Sequence, residues 1–149
     1  MTTEIQIISG NILDYYNTHY IAHQCNCVSK YAKGIAKAIF DKFPATNVYD
    51  HNYDNKKNLG NIIIKDKIIN MFAQYYPGEN KIKENREHYF EQCLQKISEL
   101  LPQNSNIAFP YNIGCGLAGG NWDNYYKMIN LFANNNPTCN VVIIKLNEN

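Results

Sequence analysis

The chain has 149 residues and a mass of 17.2 kDa, the size of one domain, because a single core still buries efficiently at this length and a second would be too small. Lys plus Arg (14) and Asp plus Glu (13) nearly cancel, so a formal charge of +1 gives no general attraction to nucleic acid or to anionic membranes. An apolar fraction of 45% with 13% aromatic excludes disorder for the bulk, and no run of about 18 apolar residues is present to span a membrane. The start, Met1-Thr2-Thr3-Glu4, lacks the basic-then-apolar pattern of a secretory signal, so the expected location is cytoplasmic or nuclear, not secreted.

In chain order, Glu4 to Ser9 alternates and is β-branched, which predicts a strand ended by the turn signal Gly10-Asn11. A second strand is predicted from Tyr20 to Asn26. Ile35, Ala38, Ile39 and Phe43 fall at helical spacing over Gly34 to Phe43, and Pro44 stops that helix. Asp50 to Gly60 is polar and reads as loop. Two β-rich runs follow, Asn61 to Ile64 and Lys67 to Ala73, with a tight Lys65-Asp66 connection. Tyr75 to Lys83 is loop by its Pro77-Gly78. From Asn85 onward Tyr89, Cys93, Leu94, Ile97, Leu100 and Leu101 repeat at three to four, predicting a helix closed by Pro102. Ile107 to Pro110 is a short strand and Asn112 to Gly120 a glycine-dense loop. Trp122 to Phe132 reads as a helix with Trp122, Tyr126, Ile129 and Phe132 on one face and Tyr125 beside them, and Val141 to Leu146 closes as a strand. Strands alternating with helices imply a single α/β domain over residues 1–149 with a mostly parallel or mixed sheet.

Four glycines in the seven residues from Gly114 to Gly120 let the backbone approach a ligand closely. The helix start behind them is expected to offer unpaired N–H groups to an anion. Gly114-Cys115-Gly116-Leu117-Ala118-Gly119 also matches G-x-G-x-x-G, the dinucleotide fingerprint. Two observations oppose that reading: only one strand follows, and Cys139-Asn140, about 20 residues on, supply no acidic ribose ligand. With Arg86 the only arginine, phosphate must be held by amides or lysines instead of guanidinium forks. Arg86 is remote in sequence from the glycine loop and is not required for that contact.

Ile21-Ala-His-Gln-Cys-Asn-Cys-Val28, followed by a short loop and the Gly34 helix, repeats the arrangement of strand, loop and helix start. Open α/β sheets place ligands at such strand ends. His23, Cys25 and Cys27 are zinc-ligand types, but C-x-C without a distant second pair reads better as small half-buried residues, so no metal is expected. The five cysteines (25, 27, 93, 115, 139) lack paired spacing and read as reduced thiols.

Gly10-Asn-Ile-Leu13, IAHQCNC at 21–27, KGIAKAI at 33–39, NMFAQ at 70–74 and IGCGLAGGNW at 113–122 together resemble the macro domain family over nearly the whole chain. The order and spacing are most similar to single-domain members of the ADP-ribose-1″-phosphate phosphatase type. The resemblance implies a three-layer α/β fold, a mixed central sheet flanked by helices, with ADP-ribose or a derivative in a cleft over the strand ends and no cofactor. It places Asn11 near the adenine amino group, where many members have Asp, with Ile12 beside the ring. Asn26 would hydrogen-bond the distal ribose. Gly34 and Ile35 would form the first loop over the diphosphate, with Lys33 either adding charge there or pointing to solvent. Gly114, Cys115, Gly116, Leu117, Ala118 and Gly119 would form the second.

Related hydrolases use a Lys after the central strand and an Asp in the second glycine loop; here Gln74 and Ala118 stand there, which argues against a covalent lysyl route. His23, Asn26, Gln74 and Asn121 remain as the candidate catalytic set, with His23 as base. Strand alternation, however, puts His23 on the face opposite Gln24 and Asn26, which suits a core histidine. Tyr111 and Trp122 are candidate walls of the cleft. The implied reaction is hydrolysis of ADP-ribose-1″-phosphate to ADP-ribose and phosphate by water attack. The alternatives are a non-catalytic ADP-ribose reader and a hydrolase acting on ADP-ribosylated proteins.

Overall fold

The computed structural model describes residues 4–147; Met1 to Thr3 of the N-terminal stretch considered above lie outside them. The strands are β1 (Ile7–Ser9), β2 (Tyr20–Asn26), β3 (Ile62–Lys65), β4 (Ile68–Gln74), β5 (Asn106–Pro110) and β6 (Asn140–Lys145). The α-helices are α1 (Gly34–Lys42), α2 (Arg86–Leu100) and α3 (Trp122–Asn135). One sheet runs β1-β6-β5-β2-β4-β3, parallel throughout except for the β3–β4 hairpin. That hairpin turns at Asp66, whose φ of 52° is in the left-handed region a short polar side chain tolerates.

Central parallel strands must be apolar on both faces, and every residue of β4 is buried. Alternation divides its side chains. Ile69, Met71 and Ala73 join Ala22 of β2 under α2 and α3, where Phe90, Cys93, Ile97, Tyr125, Ile129 and Phe132 cover them. Ile68 and Phe72 join Ile21 and Cys25 under α1 and the segment after it, beneath Ile39, Phe40, Val48 and Tyr49. The result is the expected three layers.

Two differences from the sequence reading concern the core. The ladder of β1 covers only residues 7–9 of the predicted 4–9, although Ile5 still packs into the α2/α3 core. In α3 the buried centre is Tyr125, with Trp122 and Tyr126 half-buried at its margin, because Tyr125 lies over the glycine loop and against Phe90 at 4.8 Å. Helix α1 ends where predicted, since the residue before Pro44 is forced out of the helical region.

Candidate functional site

Strands β5 and β2 are neighbours, but their connections leave to opposite faces: β5 leads to α3 on one side, β2 to α1 on the other. Between connections that part in this way an open sheet has its crevice, at the carboxyl ends of the strands. The two predicted loops border it. A Cβ built on Gly34 would stand 3.6 Å from Leu117 Cδ1, so the two loops approach each other across the strand ends.

The glycines of the second loop do different work. Gly114 has φ 74°, and a Cβ there would lie 2.7 Å from the Tyr125 ring; one on Gly120 would meet the Gly114 carbonyl at 2.6 Å. Both are required for the loop to close over Tyr125. A Cβ on Gly116 would meet nothing within 4 Å. Internal bonds fold the loop, from Cys115 N to Asn112 O (2.8 Å), Gly119 N to Gly116 O (3.1 Å) and Gly120 N to Gly114 O (3.0 Å). The N–H groups of Gly116, Leu117 and Ala118 donate to no protein atom among the described residues. Successive unpaired amides in a turn are one way a backbone can build a concavity for an anion. Cys115 beside them is a neutral thiol, pushed up to about 11 first by burial and then by Glu87.

The three unpaired amides of this loop precede the α3 helix start, where the sequence had suggested them. Asn121 caps that helix by accepting from Asp123 N (3.0 Å), and the Asp123 carboxylate already complements the dipole. At α1 the arrangement is reversed. Lys33 provides no side-chain cap, no acid lies in the first turn, and the amides of Gly34 and Ile35 donate to no protein atom among the described residues. Gly34, at φ 58°, sets the entry of the chain into the helix.

Asn26 and Gln74 are register partners at the ends of β2 and β4. A bulge between Cys25 and Asn26 breaks the alternation assumed from sequence and turns Asn26 toward Tyr49, on the α1 side. Its Oδ1 accepts from Val28 N (3.1 Å) and Ser29 N (2.8 Å), while its own N–H (3.0 Å) and Nδ2 (3.2 Å) donate to the Tyr49 hydroxyl. Asn26 thus braces the first loop. Gln74 accepts from Gln24 Nε2 (2.6 Å) and donates to Tyr76 O (2.8 Å).

His23 is fully buried and stands apart from this set. Its Nε2 donates to Asn70 Oδ1 (2.6 Å), since Asn70 Nδ2 is spent on Ile63 O, and its ring meets Phe40 edge-on at 5.3 Å. Burial lowers its pKa to about 4 despite the Asn70 bond, so the ring is neutral at pH 7 and enclosed in the α1-side core. Asn11 caps the short 3-10 turn Ile12–Tyr15 through Leu13 N (3.0 Å), and Ile12 is buried in the same core. Lys33 is exposed. Tyr111 and Trp122 pack on each other at 4.8 Å.

The sequence reading missed a cleft and the carboxylates that line it. A cleft of about 480 Å³ adjoins the far side of the second loop and is lined by Glu79, Glu84, Arg86, Glu87, Ala118 and Gly119, among others. Glu79 lies against the loop, its Cγ 3.4 Å from a Cβ built on Gly119. Glu84 and Arg86 are buried between the loop and the end of β4. Arg86, read above as remote, touches the loop after all, because a chain separation of 32 residues is closed by the fold.

No family model and no curated protein sequence matches the chain. Solved structures do. The macrodomain of Mycobacterium tuberculosis DarG superposes with a TM-score of 0.71 at 20% identity, over 94% of this chain and 97% of that one. The macrodomain of Thermus aquaticus DarG gives 0.65 at 20%, over 97% and 98%. A Bacteroides thetaiotaomicron protein of unknown function gives 0.76 at 22%, over 96% and 98%. The described residues therefore have the macrodomain fold, a mixed six-stranded sheet between layers of helices.

Proposed function

We propose that the crevice binds ADP-ribose, with the diphosphate on the amides of residues 116–118 and 34–35, and that the physiological ligand is ADP-ribose-1″-phosphate, hydrolysed to ADP-ribose and phosphate. One observation carries the reading: two sets of unpaired amides on loops that meet across the strand ends, in a chain with a single arginine. Backbone N–H groups bind a compact diphosphate without needing net positive charge. In the hydrolytic step water attacks phosphorus, the P–O bond to the distal ribose breaks, and the ribose oxygen takes a proton. Asn26 and Gln74 serve there as orienting groups, and Asn121 caps the helix behind the loop. With His23 enclosed, a phosphate oxygen of the substrate accepts the proton from water, and the leaving ribose oxygen takes its proton from solvent.

A non-catalytic reader is the second reading. It is favoured by the full engagement of Asn26 and Gln74 in scaffold hydrogen bonds and by the burial of His23. Calorimetry with ADP-ribose, alongside phosphate release from ADP-ribose-1″-phosphate, separates the two. Binding with turnover supports the phosphatase, and binding without turnover supports the reader. Absence of binding removes both.

A further inference from the structure

Arg86 is the first residue of α2 and is 6% exposed. A buried guanidinium is costly unless its charge and donors are met; here three carbonyls accept from Nη1 and Nη2, and Glu84 lies beside Nε as an ion pair. Nη2 donates to Tyr76 O (3.0 Å); Nη1 donates to Gly78 O (2.6 Å) and, at longer range, to Ala118 O (3.4 Å); Nε faces Glu84 Oε2 at 3.3 Å. Glu84 in turn accepts from Tyr75 N through Oε1 (2.8 Å). The ion pair therefore spans the exit of β4 and the second glycine loop.

Its effect on the loop follows from one peptide plane. The 118–119 peptide has its N–H on Gly116 O (3.1 Å) and its carbonyl on Arg86, so both polar ends are held from within the protein. The three N–H groups just before that plane are the unpaired ones. Tyr76 O, shared by Arg86 and Gln74 Nε2, continues the link to Gln24 under the loop. A neutral or shorter side chain at 86 leaves the Ala118 carbonyl free to rotate, and with it the direction of the amides.

We propose that Arg86, seated on Glu84, is a positioning residue for diphosphate binding: it makes no ligand contact and holds residues 116–118 in the conformation that presents their amides. This rests on the proposed binding of ADP-ribose. It assigns the only arginine of the chain a phosphate-related role exerted through a carbonyl.

The test uses Arg86→Lys, Arg86→Gln and Glu84→Gln in the full chain, with affinities for ADP-ribose and for adenosine measured by calorimetry below each variant's melting transition. Arg86→Gln is expected to weaken ADP-ribose binding about tenfold or more, the scale of one charge-assisted hydrogen bond, while adenosine affinity stays within about twofold. Arg86→Lys, which reaches fewer carbonyls, falls between. Amide hydrogen exchange over residues 114–120 rises in step, and this readout remains when a variant is too unstable for calorimetry at one temperature. Unchanged ADP-ribose affinity or unchanged exchange in the folded variants overturns the positioning role. Equal losses for ADP-ribose and adenosine also overturn it, since they mark general loosening. Failure of the unmodified chain to bind ADP-ribose strikes instead at the binding reading itself.

Discussion

The two loops that meet at the crevice present amides by opposite means. The first has one glycine, Gly34, and uses the bare start of α1, with no capping side chain and no acid in its first turn. Its conformation is set from below, by Asn26 and the Tyr49 hydroxyl. The second has four glycines and a helix behind it already capped by Asn121, so it bends its own backbone to expose residues 116–118. Its conformation is set from the side, by Tyr125 under Gly114 and Gly120 and by Arg86 at Ala118. A helix dipole serves the first loop and local backbone shape serves the second, so substitutions there should separate into different phenotypes.

The largest effect is expected where shape alone is at stake. Gly114→Ala combines a left-handed φ with a Cβ 2.7 Å from an aromatic ring that is itself 1% exposed, so neither partner yields cheaply. Strain and overpacking together cost roughly 4 kcal/mol. Urea unfolding that shows a loss below about 1 kcal/mol would mean that Tyr125 moves aside and that the second loop is less tightly built than its geometry indicates.

Next comes the strand beneath the first loop. His23 titrates near 4 in the folded chain against about 6.5 unfolded. Between those values the unfolded chain binds the extra proton, so this contribution is fully present above pH 6.5 and is lost as the pH falls toward 4. The change is about 3 kcal/mol for a fully buried ring. Unfolding free energies at pH 7.5 and 4.5, compared with those of His23→Gln, read it directly. The variant should be less stable at neutral pH but have the shallower pH dependence, and equal slopes would refute a neutral buried His23. The second loop has no counterpart to this acid sensitivity in its packing on Tyr125.

Gly116→Glu sharpens the contrast with Gly114. The Cβ direction at Gly116 is open, so the fold should keep its melting temperature within a degree or two, as for a surface change. ADP-ribose affinity should fall about 100-fold, since a carboxylate would stand among the amides that are to receive phosphate. Retained affinity, measured by calorimetry, would move the diphosphate off this loop.

What could be read from the sequence follows from how local its cause is. Helix α1 was legible because periodicity and Pro44 act within a few positions. The glycine loop was legible as a loop at the strand ends, but not the division of labour within it, because Gly114 and Gly120 answer to Tyr125 while Gly116 answers to nothing. The bulge at Asn26 comes from pairing with β4, 48 residues further on, and inverted the expected side-chain direction. Arg86 was dismissed on sequence distance, which measures nothing once the chain folds. Asparagine, at 23 residues, misled in another way. Asn11 and Asn121 were read as ligand-side groups, whereas each caps a turn or helix, as Asn85 does at α2.

The smallest expected effect tests that last point at the junction of loop and helix. The resemblance to macro domains places Asn121 among the groups near the distal ribose; the geometry gives its oxygen to Asp123 N. A cap of this kind contributes about 1 kcal/mol, so Asn121→Ala should lower the melting temperature by about 2–4 °C. If capping is its whole role, ADP-ribose affinity and any turnover of ADP-ribose-1″-phosphate stay within about twofold, because Gly119 and Gly120 are held by bonds inside the loop and not by Asn121. Asn121→Ser keeps a capping oxygen but shortens the reach toward a ligand, so it should recover the stability without altering the kinetics. A tenfold loss of turnover in both variants, with the melting temperature restored only in the serine form, would give Asn121 a second role at the ligand and tie the start of α3 to the site as closely as the start of α1.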